Sequence, residues 1–407
     1  MMSRKEFIAD AIANYGSLPL ETNYLYKKYS LDISLPVSDH AQQDQFAESL
    51  ALEISEKTKV KFDAIISGSH AESFNDSIRI VKADEMDEKF LDGKLFKSVD
   101  DKFAAYLNAY SENFIIISTK GKTPQTVNML FLNNGPLAAQ VIVNAQSGSK
   151  LSIFEIYVSE PGARGPVSVL HEVNAAQGSE VELDGLHNED ANSNIVNLYK
   201  ASIADNSRVA LNFVYTGGFM TKARGVADSS GIDSVLEISE IAFGNSGQRF
   251  DLSNAISNTR PRSRVQLNSG AVLDGKSQCM LKGVAKLEKG TKGCFSRITE
   301  RGILLSGDAH IDALPDMSID YSNEVKATHS ASTSPIDREA LFYLESRGLE
   351  ENQAKKMFIT AFISKYMSNI SNGAASEIAM SVMLEKLERG TFGSISDLNA
   401  KGVWISK

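Results

Sequence analysis

The sequence predicts a mainly β chain, a solenoid of β coils set between two helical segments, and three observations carry that prediction. From about Phe114 to Ile319, short alternating apolar runs are separated by Gly, Asn, Asp and Ser, which is the grammar of strands and turns. Within that stretch one phrase recurs, a small residue and a charged residue followed by apolar-any-apolar. It stands at Ser149-Lys150-Leu151-Ser152-Ile153, Ser179-Glu180-Val181-Glu182-Leu183, Ser207-Arg208-Val209-Ala210-Leu211 and Ser263-Arg264-Val265-Gln266-Leu267. On both flanks the apolar residues fall at helical spacing between capping signals.

Residues 1–112 read as a helical N-terminal region. Ser3 with Glu6 forms a capping box, and Phe7, Ile8, Ala11, Ile12 and Tyr15 then recur at helical spacing up to Gly16. A second helix is expected to begin near Ser38, with Phe46, Leu50 and Ile54 four apart on its apolar face. The charge run Asp84-Glu85-Met86-Asp87-Glu88 has no spacing suited to a metal and reads as exposed connector.

Residues 113–325 form the β core. The first apolar positions of the recurring phrase stand 30 and then 28 residues apart, and a weaker copy, Gln248-Arg249-Phe250-Asp251-Leu252, stands at half that interval before the last. Two short strands and two turns per ~25–30 residues, stacked on like units, suit a solenoid. A β-sandwich remains the alternative at this level.

Residues 326–407 read as helical again. Ser334-Pro335-Ile336-Asp337 offers an N-cap serine with proline at the first helical position, and Gly348 lies where a left-handed cap ends a helix. The next run places Phe358, Phe362 and Tyr366 on one face, and a third helix is expected from Ala374 to Arg389.

A net charge of −9 argues against a general binder of phosphate backbones. No run reaches ~18 uninterrupted apolar residues, and the start Met1-Met2-Ser3-Arg4-Lys5-Glu6-Phe7 carries no signal core, so neither nucleic acid nor membrane is an expected partner and the cytoplasm is the expected compartment. Two cysteines, Cys279 and Cys294, cannot supply a disulfide framework, a four-thiolate zinc site or a self-contained cysteine-ligated cluster.

Gly270-Ala271-Val272-Leu273-Asp274-Gly275-Lys276-Ser277 matches the phosphate-loop pattern letter for letter. That loop works by opening a helix at its Lys-Ser, so that amide groups and dipole face the phosphates. Here Gly283 interrupts the run after Ser277 and the pattern alternates, so Gly270, Gly275, Lys276 and Ser277 read as a turn between coils that does not bind nucleotide. The segments His171-Glu172 and His187-Asn188-Glu189-Asp190 lie between turn signals and read as solvated loops. His329 is singled out because it precedes the capped helix where strands give way to helices. An imidazole there can act as ligand or proton carrier, or simply hydrogen-bond backbone at the seam.

The run Thr328-His329-Ser330-Ala331-Ser332, continuing through Ile336-Asp337-Arg338-Glu339-Ala340-Leu341-Phe342-Tyr343-Leu344-Glu345-Ser346-Arg347-Gly348-Leu349, resembles the signature of the SufB/SufD family of the SUF iron–sulfur cluster assembly machinery. Leu198-Tyr199-Lys200, Leu273-Asp274-Gly275-Lys276-Ser277 and Ile303-Leu304-Leu305-Ser306, with Pro315 downstream, look like further landmarks of that family. The resemblance implies a right-handed parallel β-helix core flanked by helical segments. It also implies that the ATPase is a separate SufC-like subunit docking on the C-terminal helices, with Leu341, Phe342, Tyr343, Leu344, Arg347, Phe358 and Phe362 as candidate contacts.

Departures from the signature point toward SufD. The cysteine and glutamate of SufB-like members align with Arg301 and Ser330, and the cysteine that SufD-like members often carry two residues before the histidine aligns with Ala327. The implied function is a non-enzymatic subunit that pairs with a SufB-like sister or with itself and supports iron delivery or cluster formation, with His329 as metal ligand or proton relay. No tightly bound cofactor is expected, only transient iron or cluster shared with the partner. An intracellular β-helix enzyme acting on carbohydrate is the alternative.

Overall fold

The computed structural model describes residues 3–18, 47–68, 70–82, 85–86, 97, 102–160, 163, 165–320 and 325–389. Strands alternate between two sheets. One contains β1 (Ala64–Ser67), β2 (His70–Ser73), β5 (Gln125–Asn133), β7 (Lys150–Ser159), β9 (Glu180–Asn188), β11 (Arg208–Tyr215), β13 (Val235–Gly244), β15 (Arg264–Leu273), β17 (Phe295–Leu304) and β19 (Lys326–Pro335). The other contains β3 (Ile78–Lys82), β4 (Asn113–Ser118), β6 (Leu137–Ala145), β8 (Gly165–Ala175), β10 (Ser193–Ile203), β12 (Met220–Ser229), β14 (Arg249–Asn258), β16 (Gln278–Leu287) and β18 (His310–Ile319). From β4 onward each strand pairs in parallel with the next but one, so the chain is a parallel β-helix.

The recurring sequence phrase has a physical origin in this register. Leu151 stands beside Val181 and Val181 beside Val209, so copies of the phrase stack in one sheet. The half-interval copy at Phe250 lies on β14 in the other sheet. In three of the copies the opening serine closes a turn: the hydroxyls of Ser149, Ser179 and Ser263 donate to carbonyls three residues back at 2.6–2.9 Å, while that of Ser207 donates to the Ala176 carbonyl of the preceding coil at 2.8 Å. The apolar residues that follow point into the coil, where Ile153, Leu183, Leu211 and Leu267 are fully buried in one continuous core.

Helices lie against the outer faces of the sheets. Helix α1 (Arg4–Ser17) starts with the Ser3–Glu6 capping box and buries Phe7 against Phe114, Ile116 and Ile142. Helix α2 (Ala47–Thr58) contributes Ala51 and Ile54 to the apolar cluster outside the first sheet. Helix α3 (Lys102–Tyr110) packs Phe103 and Leu107 onto Ala138, Leu170 and Leu198 of the second. Helices α4 (Arg338–Ser346), α5 (Glu351–Met367) and α6 (Gly373–Arg389) follow the last strand, and α5 and α6 cover Ile241, Phe243 and Val272.

Several expectations change in detail. Residues 1–112 are not purely helical, because β1 to β3 lie within them and make the antiparallel pairs β1–β2 and β3–β4. The strand pattern runs past 325: residues 326–335 pair in parallel with β17, so His329 sits on the last strand of the solenoid, not on a helical lead-in. Ser334 and Pro335 end that strand. The N-cap of α4 is Asp337, whose carboxylate accepts the Glu339 amide at 2.9 Å, while Gly348 takes the expected left-handed conformation at φ +93°. On α5 the buried stripe is Ile359, Ile363, Tyr366 and Met367, so Phe358 and Phe362 lie beside it, half-buried. The expected helix start near Ser38 lies outside the described residues. Of the charge run at 84–88 the structure describes Glu85, which is exposed, and Met86, which is buried against Phe114 because its side chain is apolar.

Candidate functional site

The two ends of the solenoid are built differently. At the start, antiparallel strands β2 and β3 close the sheets, a common device for blunting an edge. At the far end β18 and β19 are the outermost strands of their sheets, and the side chains of Leu314 and Ile319 on β18 are 43% and 44% exposed. Unpaired edge strands with exposed apolar groups are templates for another chain.

His329 lies on this open end. It is in register with Ile298, a core position of β17, and among the described residues no further coil covers it, so the imidazole is exposed. Among the described residues it makes no hydrogen bond or ion pair, and no three His, Cys, Asp or Glu side chains are placed to hold a metal ion together. Neither cysteine reaches the surface. Cys279 is buried, and burial with the nearby carboxylates of Glu240 and Asp251 pushes its thiol well above the usual range, which disfavours the thiolate needed for ligation. Cys294 is buried in a turn, its Sγ 2.9 Å from the Arg260 carbonyl.

Next to this end α4 stands away from the core and buries none of its residues. Phe342 and Tyr343 are 71% and 57% exposed, and the Arg347 guanidinium sits 5.2 Å from the Tyr343 ring centre. Leu341 and Phe342 line a groove of about 990 Å³ shared with Ile336, Lys355 and Ile359. Leu344 is half-buried, and Tyr343, Leu344, Arg347, Phe358 and Phe362 do not line that groove.

The phosphate-loop letters fall on strand and turn. Gly270 is inside β15, Gly275 has φ +62° at the turn, the amide of Lys276 bonds the Ser246 carbonyl of the preceding coil, and Ser277 leads directly into β16. Gly270 has a packing reason to lack a side chain, because a Cβ there would come within 2.4 Å of the Tyr366 ring.

The interior holds polar groups whose turn-rich neighbours suggested solvent. His171 and His187 are completely buried on β8 and β9, since strand alternation turns both inward. His171 Nε2 is 2.8 Å from Glu155 Oε2, which also accepts the Tyr157 hydroxyl at 2.7 Å. His187 Nδ1 is 2.7 Å from Glu189. The His187 ring stacks between Tyr157 and Tyr215, with centroids 4.1 and 5.2 Å away. Further along, Glu240 accepts bonds from Asn254 at 2.6 Å and Ser269 at 2.7 Å, and burial pushes its carboxyl up to about 7. Burial also pushes Glu300, beneath the last coil, up to about 8. Charged letters inside strands were the available signal. Only the register shows which of them face inward.

The sequence profile described as the SufBD core domain of SUF-system iron–sulfur cluster assembly matches residues 131–362, which run from the early coils through α4 to most of α5. The chain belongs to the SufBD family.

Relatives agree with this at low identity. A SufBD family iron–sulfur cluster assembly protein of Synechocystis is 25% identical over 389 residues, covering 89% of this chain and 77% of that protein. SufD of Bacillus subtilis is 22% identical over 290 residues, covering 70% and 66%. A chloroplastic SufBD family protein of Arabidopsis thaliana is 22% identical over 364 residues, covering 84% and 63%. As a SufBD protein the chain has its role in iron–sulfur cluster assembly, within SUF machinery. Among the described residues no helix is long and apolar enough to cross a membrane.

Proposed function

We propose that this SufBD protein is a non-catalytic, SufD-like subunit that completes its site only with a partner. The observation that carries this reading is the open end of the solenoid: His329 is exposed on an outermost strand, while both cysteines of the same chain are buried. A cluster or iron at that end needs ligands from another chain. Edge strands β18 and β19 are where a SufB-like sister, or a second copy, would add its own strands. A SufC-like ATPase docks on α4 and the groove beside it, where Phe342 and Tyr343 expose the large rings typical of interface anchors. The intracellular carbohydrate-enzyme alternative has no support among these relatives, each named for cluster assembly.

Two experiments test these parts separately. Co-expressed with a SufC-like ATPase and a SufB-like sister, the Phe342→Asp, Tyr343→Asp double variant is expected to lose co-purification of the ATPase while keeping its sister. Both rings are exposed, so the fold tolerates the change, and retention of the ATPase would remove the docking assignment. His329→Ala is expected to leave the complex assembled and lower reconstituted cluster yield at least about tenfold, read from the visible absorbance of the cluster. An undiminished yield would take His329 out of the site.

A further inference from the structure

The outer face of the first sheet changes character at its last coils. Earlier along this face, exposed cations are matched across strands: Lys150 with Glu180 at 2.8 Å and Arg208 with Glu237 at 2.5 Å. In the turn beyond it Arg262 pairs with Asp233 at 2.6 Å. The matching then stops. The outward positions of β17 carry Phe295, Arg297, Thr299 and Arg301, and those of β19 carry Lys326, Thr328, Ser330 and Ser332 in register with them. This block has cations and hydroxyls but no carboxylate. Among the described residues no acidic group pairs with Arg297, Arg301 or Lys365.

Packing brings the third of these cations in from a helix. Gly270 is in register with Arg301, and its missing side chain lets the Tyr366 ring of α5 settle on the sheet, with the Tyr366 hydroxyl donating to the Ser269 carbonyl at 3.2 Å. Lys365, the preceding residue, is thereby held near both arginines: burial and the positive charges of Arg301 and Arg297 lower its pKa. At the other end of the row two guanidiniums, Arg264 and Arg297, stand 5.2 and 5.1 Å from the centre of the Phe295 ring, which limits their freedom. Like charges gathered without counter-charge cost free energy unless something anionic covers them.

We propose that this face, along Arg297 and Arg301 with Lys365, binds an extended, carboxylate-rich segment of a partner protein. The shape favours an extended chain over a compact anion. From Phe295 to Arg301 the strand runs about 20 Å, so a peptide of similar extension can place alternate side chains against successive cations. The hydroxyls of Thr328, Ser330 and Ser332 add donors alongside. The rest of the chain favours this location, since a net charge of −9 repels an acidic segment from most of the surface. His329 projects to the opposite side of β19, so this surface is separate from that residue.

The test uses the full chain and a fluorescein-labelled octaglutamate peptide, read by anisotropy at low and physiological salt. Saturable binding that weakens with salt is expected, with at least a tenfold loss in the Arg297→Glu, Arg301→Glu, Lys365→Glu variant and no change in Lys150→Glu. An Arg297→Gln, Arg301→Gln variant, with thermal unfolding checked, guards against misfolding and should lose at least threefold. Binding that survives both sets of substitutions overturns the proposal. So does competition by tripolyphosphate at concentrations below those of unlabelled octaglutamate, which would make the face a phosphate site.

Discussion

Replacing Glu240 with Gln is expected to stabilise the protein at pH 8 by about 3 kcal/mol and to leave it nearly unchanged at pH 4. The carboxyl is fully buried and titrates at about 7 in the folded chain against an ordinary value of 4.5. Below pH 4.5 it is protonated in both states and costs nothing. As pH rises from there toward 7 the unfolded chain releases its proton first, so folding stability falls, and above 7 the loss is constant. A displacement of this size corresponds to about 3 kcal/mol. Glu300, raised to about 8, extends the decline to slightly higher pH. Glutamine keeps the oxygen that Asn254 and Ser269 donate to, and its amide can donate toward the Tyr199 hydroxyl oxygen. Denaturation midpoints measured from pH 4 to 8 decide the matter. Parallel curves for the two proteins would show that Glu240 does not carry this dependence.

Gly225→Ala is the second large effect, a loss of about 3 kcal/mol. A Cβ at Gly225 would come within 2.1 Å of the Tyr199 ring and 2.3 Å of the Asn254 side-chain oxygen. Neither neighbour has room to move. Tyr199 is buried, stacked on Phe213 at 4.8 Å and hydrogen-bonded to Asn254. Overpacking of this kind typically costs about 1–3 kcal/mol, and a site locked on several sides lies at the upper end. Gly307→Ala provides the control, because a Cβ there meets nothing within 4 Å. Equal melting temperatures for the two variants would mean that the lumen yields more easily than its packing indicates.

Much of the architecture was legible because it is periodic. A coil repeats its turn serine and its inward apolar pair, and the stacking of Leu151, Val181 and Val209 needs nothing beyond that repetition. Helix ends were legible where a local cap sets them, as at Ser3 and Gly348. The capping signal at Ser334-Pro335 does not start α4, because the pair is also a workable strand end and pairing with β17 wins over the local signal. The burial of His171 and His187 is hidden in the sequence for a related reason. Turn-rich neighbours suggest solvent, but residues of one strand alternate between lumen and surface, and only neighbouring coils show which is which.

The candidate site divides in the same way. The sequence by itself pointed to a coiled β protein with capped helices, poor in cysteine, and it singled out His329 at the seam, since these are features of local order and composition, whereas Phe342 and Tyr343 of α4 were marked by the resemblance to the family signature. Tertiary structure alone decided that β18 and β19 are the outermost described strands of their sheets, that both thiols are buried, and that Arg297, Arg301 and Lys365 share one face. Those facts depend on register between strands about 30 residues apart and on a glycine that lets a helix lie close, and contacts of that range leave no local pattern in the chain.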